Sequence, residues 1–160
     1  MGIHFKGILV ILLPLLPNIF FYIFPTKNVP GNLNSVPAIF TIIEQVGRIA
    51  CFVIPVVFGK KIAEQKNSYL VILMVICLLI YYIRWILYFA TGREFYDLFK
   101  PIGLIPIPMA IFPLMYLILL GIWVESPFFI ASAMLFSIGH IVVSWNIYIQ
   151  LLKMKHIDRF

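Results

Sequence analysis

Charged residues are scarce in this chain, and that scarcity excludes a water-soluble globular domain. Asp, Glu, Lys and Arg make up only 11% of its 160 residues, hydrophobic residues make up 63%, and the mean hydropathy is +1.07. A soluble domain needs far more polar surface to cover its core. The composition therefore predicts an integral membrane protein, and we expect it to be multi-pass in a bacterial cell membrane.

The sequence also lacks the short motifs that mark metal sites, cofactor sites and many catalytic sites. Its two cysteines, Cys51 and Cys77, have neither CxxC nor Cys/His ligand spacing. There is no HExxH, no nucleophile motif and no glycine-rich phosphate loop. We therefore predict no metal and no cofactor, and these absences argue against an enzyme.

Five apolar runs are long enough to cross a membrane as helices, whereas the alternating polarity of a membrane β-barrel is missing. Each helical crossing needs about 20 residues. An odd number of crossings places the termini on opposite sides, which we name side A for the N-terminus and side B for the C-terminus. The predicted fold is an all-α integral membrane protein, a single bundle of five transmembrane helices in one domain. The five spans are residues 5–24, 38–59, 68–90, 102–124 and 127–151.

The few charges that are present sit mostly at the ends of the apolar runs. The 12 Lys and Arg outnumber the 6 Asp and Glu, and no basic stripe with interleaved aromatic residues occurs. This distribution favours membrane lipid as a partner and argues against nucleic acid. Side B carries slightly more Lys and Arg in its short segments than side A, which favours a cytoplasmic C-terminus.

Polar residues nevertheless recur at helical spacing inside four of the five runs. Glu44 and Arg48 are four residues apart in the second run, and Cys51 falls on the same face. Ionisable groups cost several kcal/mol in hydrocarbon, so we expect this face to turn toward other helices. The corresponding faces carry Asn18 in the first run, Tyr81, Arg84 and Tyr88 in the third, and His140 in the fifth, where Asn146 flanks the face.

These polar faces are predicted to meet in a cavity in the side-B half of the bundle. At about 1.5 Å per residue, Glu44 and Arg84 both lie roughly 9 Å from side B. Pro106 and Pro108 should break the first turns of the fourth span at the same level. Two arginines facing one glutamate leave one positive charge for a phosphate or carboxylate. The predicted ligand-binding residues are Asn18, Glu44, Arg48, Tyr81, Arg84, Tyr88, His140 and Asn146.

Three functions fit this cavity, and the sequence leaves all three open. The favoured one is binding, or moving, an amphipathic or anionic small molecule or lipid. The second is an intramembrane enzyme that acts on a lipid or isoprenoid-type substrate, with Glu44 or His140 as general base. The third is an accessory or immunity protein whose Glu44, Arg48 and Arg84 form only structural ion pairs that fix helix register. Each function is compatible with a homo-oligomer.

The number of spans and the segment SWNIYIQ, residues 144–150, resemble the translocator proteins that bind porphyrins and sterols. The tryptophan- and proline-rich loop that this family would have after the first helix does not occur in this chain. The chain is therefore not assigned to that family.

Overall fold

Helices account for almost all of the regular structure, as the sequence predicts. The structure, a computed structural model, describes residues 5–57, 59–65 and 68–157. Within these ranges there is no β-strand, and five of the helices are long. The helices are α1 (Phe5–Ile23), α2 (Ala38–Val57), the short α3 (Gly59–Glu64), α4 (Tyr69–Ala90), α5 (Pro108–Trp123) and α6 (Pro127–Ile157), with a 3-10 turn (Phe95–Leu98) between α4 and α5.

Three of the described helices are long and apolar enough to cross a membrane. These candidate spans are Ala38–Val56, Tyr69–Ala90 and Pro127–Met154. The other two long helices are also apolar, but their described lengths, Gly7–Ile23 and Pro108–Trp123, are shorter. Large apolar side chains such as Ile42, Ile72 and Ile86 are exposed on the outer surface. Length and composition are therefore compatible with a membrane location.

The helix boundaries follow the predicted spans except at the start of α5 and around α3. The fourth span was expected from residue 102, but α5 begins at Pro108. Residues 101–107 instead form an irregular segment in which Ile102 and Ile105 exchange backbone hydrogen bonds of 3.0 and 2.9 Å, and Ile107 has a φ of 43°. Prolines cannot donate the bonds that would continue a helix, but one suits its first position. The linker after α2 contains the extra helix α3, and α6 extends past residue 151 to Ile157.

The long helices pack in neighbouring pairs. α2 packs mainly against α6, α4 packs mainly against α5, and α5 also contacts α6. On α2, α4 and α6 the buried faces carry the periodic polar and small residues, whereas the opposite faces are exposed and apolar. On α1 the polar residue Asn18 is exposed. Among the described residues, the buried face of α4 includes Cys77, Tyr81, Arg84 and Tyr88, as the spacing predicts.

Two groups of hydrogen bonds define the ends of the bundle. At the end that we call the loop end, the segment after α1 pairs with the segment after α4: Lys27 N donates to Arg93 O at 2.8 Å, and Phe95 N donates to Lys27 O at 3.1 Å. At the other end, Lys61 Nζ of α3 donates to the carbonyl of Glu125 at 2.9 Å, next to the turn between α5 and α6. The loop end is the side that the sequence analysis calls side B.

Candidate functional site

Two glycines bring α2 and α6 into backbone contact, and this contact positions the charged residues of α2. A Cβ atom on Gly139 would lie 2.5 Å from Glu44 N, and one on Gly47 would lie 2.7 Å from Phe136 Cα. Real Cβ atoms do not approach other atoms so closely, so only glycine fits at both positions. Small residues allow helices in apolar surroundings to approach in this way. The backbone of Glu44 is therefore held directly against α6.

Glu44, Arg48 and His140 form a compact ion network across this helix pair. Oε1 of Glu44 accepts a hydrogen bond from Nη2 of Arg48 and lies 2.9 Å from Nδ1 of His140. The Glu44 side chain is only 7% exposed, compared with 36% for Arg48 and 26% for His140. The carboxylate is thus buried behind the two basic groups, and it is shared between them.

The contact with Glu44 also determines which ring nitrogen of His140 carries a proton. A carboxylate oxygen only accepts hydrogen bonds, so Nδ1 at 2.9 Å must be the donor. In the neutral imidazole this leaves Nε2 as an acceptor. The ring of Phe136 packs beside the network: its centroid lies 5.3 Å from the centroid of His140 and 5.3 Å from Cζ of Arg48. Phe136 therefore shields the network on one side.

Arg48 and His140 line a pocket of about 350 Å³ between all five long helices. Glu44 lies behind them and is not part of the lining. The polar lining residues are Asn18, Arg48, Tyr81, His140 and Ser144. The remaining lining residues are apolar or aromatic: Pro14, Leu15, Phe21, Phe52, Trp85, Leu98, Phe99, Ile107, Met109, Ala110, Pro113, Leu114, Leu117 and Phe136.

The α1 wall of the pocket is held in place by tyrosine hydroxyls from α4 and α5. Pro14 and Pro17 have no N–H, so the carbonyls four residues earlier lack their helical partner. The Tyr116 hydroxyl donates to the carbonyl of Val10 at 2.7 Å. The Tyr82 hydroxyl donates to the carbonyl of Leu13 at 2.6 Å. Each proline thus creates an acceptor that fastens α1 to a neighbouring helix.

Asn18 connects the same wall to α4. Its Nδ2 donates to the carbonyl of Pro14 and to the hydroxyl of Tyr81, both at 3.1 Å. Asn18 and Tyr81, both of which belong to the predicted site, line the pocket. The amide and the hydroxyl present polar groups on the wall formed by α1 and α4.

Arg84 does not line the pocket, contrary to the prediction from the sequence. Instead of reaching Glu44, its Nη2 donates to the carbonyls of Asp97 and Lys100 at 3.0 and 3.1 Å. Equal depth in the bundle did not imply contact, because α2 packs mainly on α6 and α4 mainly on α5. Arg84 therefore fastens the segment that contributes Leu98 and Phe99 to the pocket wall. The spare positive charge expected in the cavity is held by these carbonyls.

Tyr88 and Asn146 also lie outside the lining of the pocket. Tyr88 belongs to an aromatic cluster, where its ring centroid is 5.3 Å from that of Trp85 and 6.2 Å from that of Phe21. Asn146 donates from Nδ2 to the carbonyl of Asn34 at 2.9 Å. Gln150 makes two further bonds to the backbone of Asn34, so these two side chains of α6 fasten the segment after α1.

The apolar lining was missing from the predicted site. Residues of α5 such as Met109, Leu114 and Leu117 carry no sequence signal, because they are the same types that face lipid. Phe136 and Ser144 could have been found, since each lies four residues from His140 along the polar face of α6. Among the described residues, no three His, Cys, Asp or Glu side chains come together as a metal site.

Comparisons with protein-family models, with curated protein sequences and with solved structures find no match to this chain.

Proposed function

We propose that this protein is a multi-pass membrane protein that binds an amphipathic or anionic small molecule, or part of a lipid, in the pocket between its helices. The observation that carries the proposal is the position of Arg48 and His140 in the wall of a pocket of about 350 Å³ that is otherwise mostly apolar. Small-molecule sites typically combine an apolar lining with a few convergent polar groups. A ligand with one polar end and one apolar end fits this division.

The size of the pocket limits the ligand. At roughly 30 Å³ for each water-sized group, about 350 Å³ holds about a dozen non-hydrogen atoms. A complete phospholipid is several times larger. The proposed ligand is therefore a single-chain amphiphile of medium length, or the head and first part of a longer chain whose remainder extends outside. Asn18 is exposed although it lines the pocket, which supports an opening beside α1.

The proposal includes five membrane crossings. The three candidate spans are long enough by themselves. α1 has 19 residues and α5 has 16, which correspond to about 28 and 24 Å of helix at 1.5 Å per residue. The irregular segment before α5 adds length at the loop end. Five crossings place the termini on opposite sides of the membrane, and the count of Lys and Arg favours the C-terminal side as cytoplasmic.

Native mass spectrometry of the protein purified in mild detergent tests the binding function. We expect a bound molecule of about a dozen or more non-hydrogen atoms in wild type and a several-fold lower occupancy in Arg48→Gln. Arg93→Gln is the matched control, because Arg93 lies at the loop end outside the pocket and its guanidinium packs over Phe24. Ala110→Phe should also reduce occupancy, since Ala110 lines the pocket. Equal occupancy in all four proteins would refute the proposal.

One observation favours a second candidate, an intramembrane enzyme that acts on a lipid or isoprenoid-type substrate. The Glu44 carboxylate orients the His140 imidazole through Nδ1 at 2.9 Å. This is how a carboxylate prepares a histidine to act as general base through Nε2. An enzyme of this kind would lose at least about 10²-fold in turnover on His140→Asn. The same variant of a binding protein would still bind ligand. A protein with a purely structural ion network would show neither binding nor turnover.

A further inference from the structure

The charges around the pocket balance without a ligand when His140 is neutral. Arg48 is positive and Glu44 is negative, so these two charges cancel when His140 carries its single proton on Nδ1. An anionic ligand that binds to Arg48 would leave this apolar region with one uncompensated negative charge. Net charge is costly where water is scarce. The pocket therefore needs a further positive charge when an anion binds.

We propose that the pocket binds an amphiphile with a singly charged anionic head together with one proton, the anion on Arg48 and the proton on Nε2 of His140. This inference rests on the proposed binding function and adds the charge of the ligand and its coupling to pH. The proton comes from the solvent and no covalent bond forms or breaks. His140 then carries protons on both ring nitrogens and remains hydrogen-bonded to Glu44 through Nδ1.

None of the groups that face His140 is a better site for this proton than His140 itself. α2 contributes Glu44, which is bonded to two basic groups, and Arg48, which is always charged. α4 contributes Tyr81, whose hydroxyl accepts from Asn18. The lining residues contributed by α1, α5 and the segment after α4 are all uncharged. An imidazole gains its second proton near neutral pH, unlike any of these groups.

The coupling fixes the direction of the pH dependence. While His140 is neutral in the free protein and protonated in the complex, anion affinity rises as the pH falls, by at most about tenfold per pH unit. The dependence disappears once His140 of the free protein is already protonated. A neutral ligand of the same length does not require the proton, so its affinity should be independent of pH.

Quenching of Trp85 fluorescence measures this binding directly. Trp85 lines the pocket and is 6% exposed, whereas Trp145 is 44% exposed and reports on the outer surface. The full chain in nanodiscs would carry Trp123→Phe and Trp145→Phe, which leaves Trp85 as the fluorophore. The control protein would carry Trp85→Phe as well. The probe is 8-bromooctanesulfonate, which has about a dozen non-hydrogen atoms, as the pocket requires, and stays anionic throughout. 8-bromooctanol is the neutral match, and bromomethanesulfonate is the anion without a tail.

We expect sulfonate affinity to rise about three- to tenfold per pH unit over the pH range in which His140 of the free protein is neutral. Calorimetry in two buffers should show uptake of close to one proton. His140→Asn keeps an N–H for Glu44 but cannot titrate, and it should remove both effects. Glu44→Gln removes the negative charge, so it should bind the sulfonate at least as tightly at high pH, without proton uptake. Circular dichroism checks that both variants fold.

The outcomes separate this inference from the proposed function. Sulfonate binding without proton uptake, or with the same pH dependence in His140→Asn, overturns the coupling but leaves a binding protein. Equal binding of bromomethanesulfonate overturns the amphiphile as ligand class. Failure of both eight-carbon probes to quench Trp85 overturns the proposed function itself. Loss of sulfonate binding in Glu44→Gln that has folded correctly also contradicts the charge argument.

Discussion

The bond between Tyr116 and α1 allows a sharp test of why α1 contains two prolines. The Tyr116 hydroxyl donates to the carbonyl of Val10 at 2.7 Å, and Tyr116 is 1% exposed. Val10 needs this donor because residue 14 is proline and has no N–H to offer. Tyr116→Phe should therefore leave this partly buried carbonyl without a partner, at a cost of about 1–3 kcal/mol in unfolding free energy.

Pro14→Ala should remove most of that cost. Alanine at position 14 supplies the helical N–H four residues after Val10, so the carbonyl no longer depends on Tyr116. In the Pro14→Ala background we expect Tyr116→Phe to cost less than about 1 kcal/mol. The coupling between the two positions would then be about 1–2 kcal/mol, a size typical of residues that share one hydrogen bond.

Unfolding of the detergent-solubilised protein by titration with dodecyl sulfate, followed by circular dichroism, measures all four free energies. The second proline supplies a matched control, since Tyr82 donates to the carbonyl of Leu13 at 2.6 Å and Leu13 lost its partner to Pro17. Pro14→Ala should leave the cost of Tyr82→Phe unchanged, whereas Pro17→Ala should reduce it. If Tyr116→Phe costs the same with Pro14 and with alanine, the reasoning is wrong.

Two further substitutions test the helix contact and the loop segment that shape the pocket. Gly139→Ala should destabilise the protein by about 1–3 kcal/mol and weaken ligand binding, because its Cβ would lie 2.5 Å from Glu44 N and force α2 and α6 apart. Gly31→Ala is the control: nothing lies within 4 Å of the new Cβ, so its effect on stability should be close to zero. Arg84→Met should increase hydrogen exchange in residues 95–100 at least about tenfold, because it removes two partly buried hydrogen bonds to that segment. Unchanged exchange there would show that Arg84 does not hold the segment in place.

Helix positions and buried faces could be predicted because each depends on local pattern. Runs of apolar residues mark the helices whatever they pack against, and Pro106 with Pro108 marks the irregular start of α5. The polar faces were also predictable, since burial of a charge is costly enough to determine which side of a helix turns inward. Ser137, Ser144 and Glu44 are buried, as that reasoning requires.

The partners of the polar residues could not be predicted in the same way. Depth along each helix was estimated for Arg84 and Glu44, but depth says nothing about which helices are neighbours. The neighbours depend on close backbone approach at Gly47 and Gly139. The sequence contains other glycines and does not indicate at which of them two helices meet. The roles of Arg84 and Asn146 in fastening segments at the loop end follow from those neighbours.

The sequence by itself determined that the chain is helical and apolar, where most of its long helices lie and which face of α2, α4 and α6 is buried, because these properties depend on composition and on the 3.6-residue period. Only the tertiary structure decided that Glu44 is shared between Arg48 and His140, that Arg84 holds a loop segment, and that the prolines of α1 are partnered by tyrosines. These are contacts between residues up to 106 positions apart in the chain. They depend on which helices pack together, and short-range periodicity contains no information about that choice.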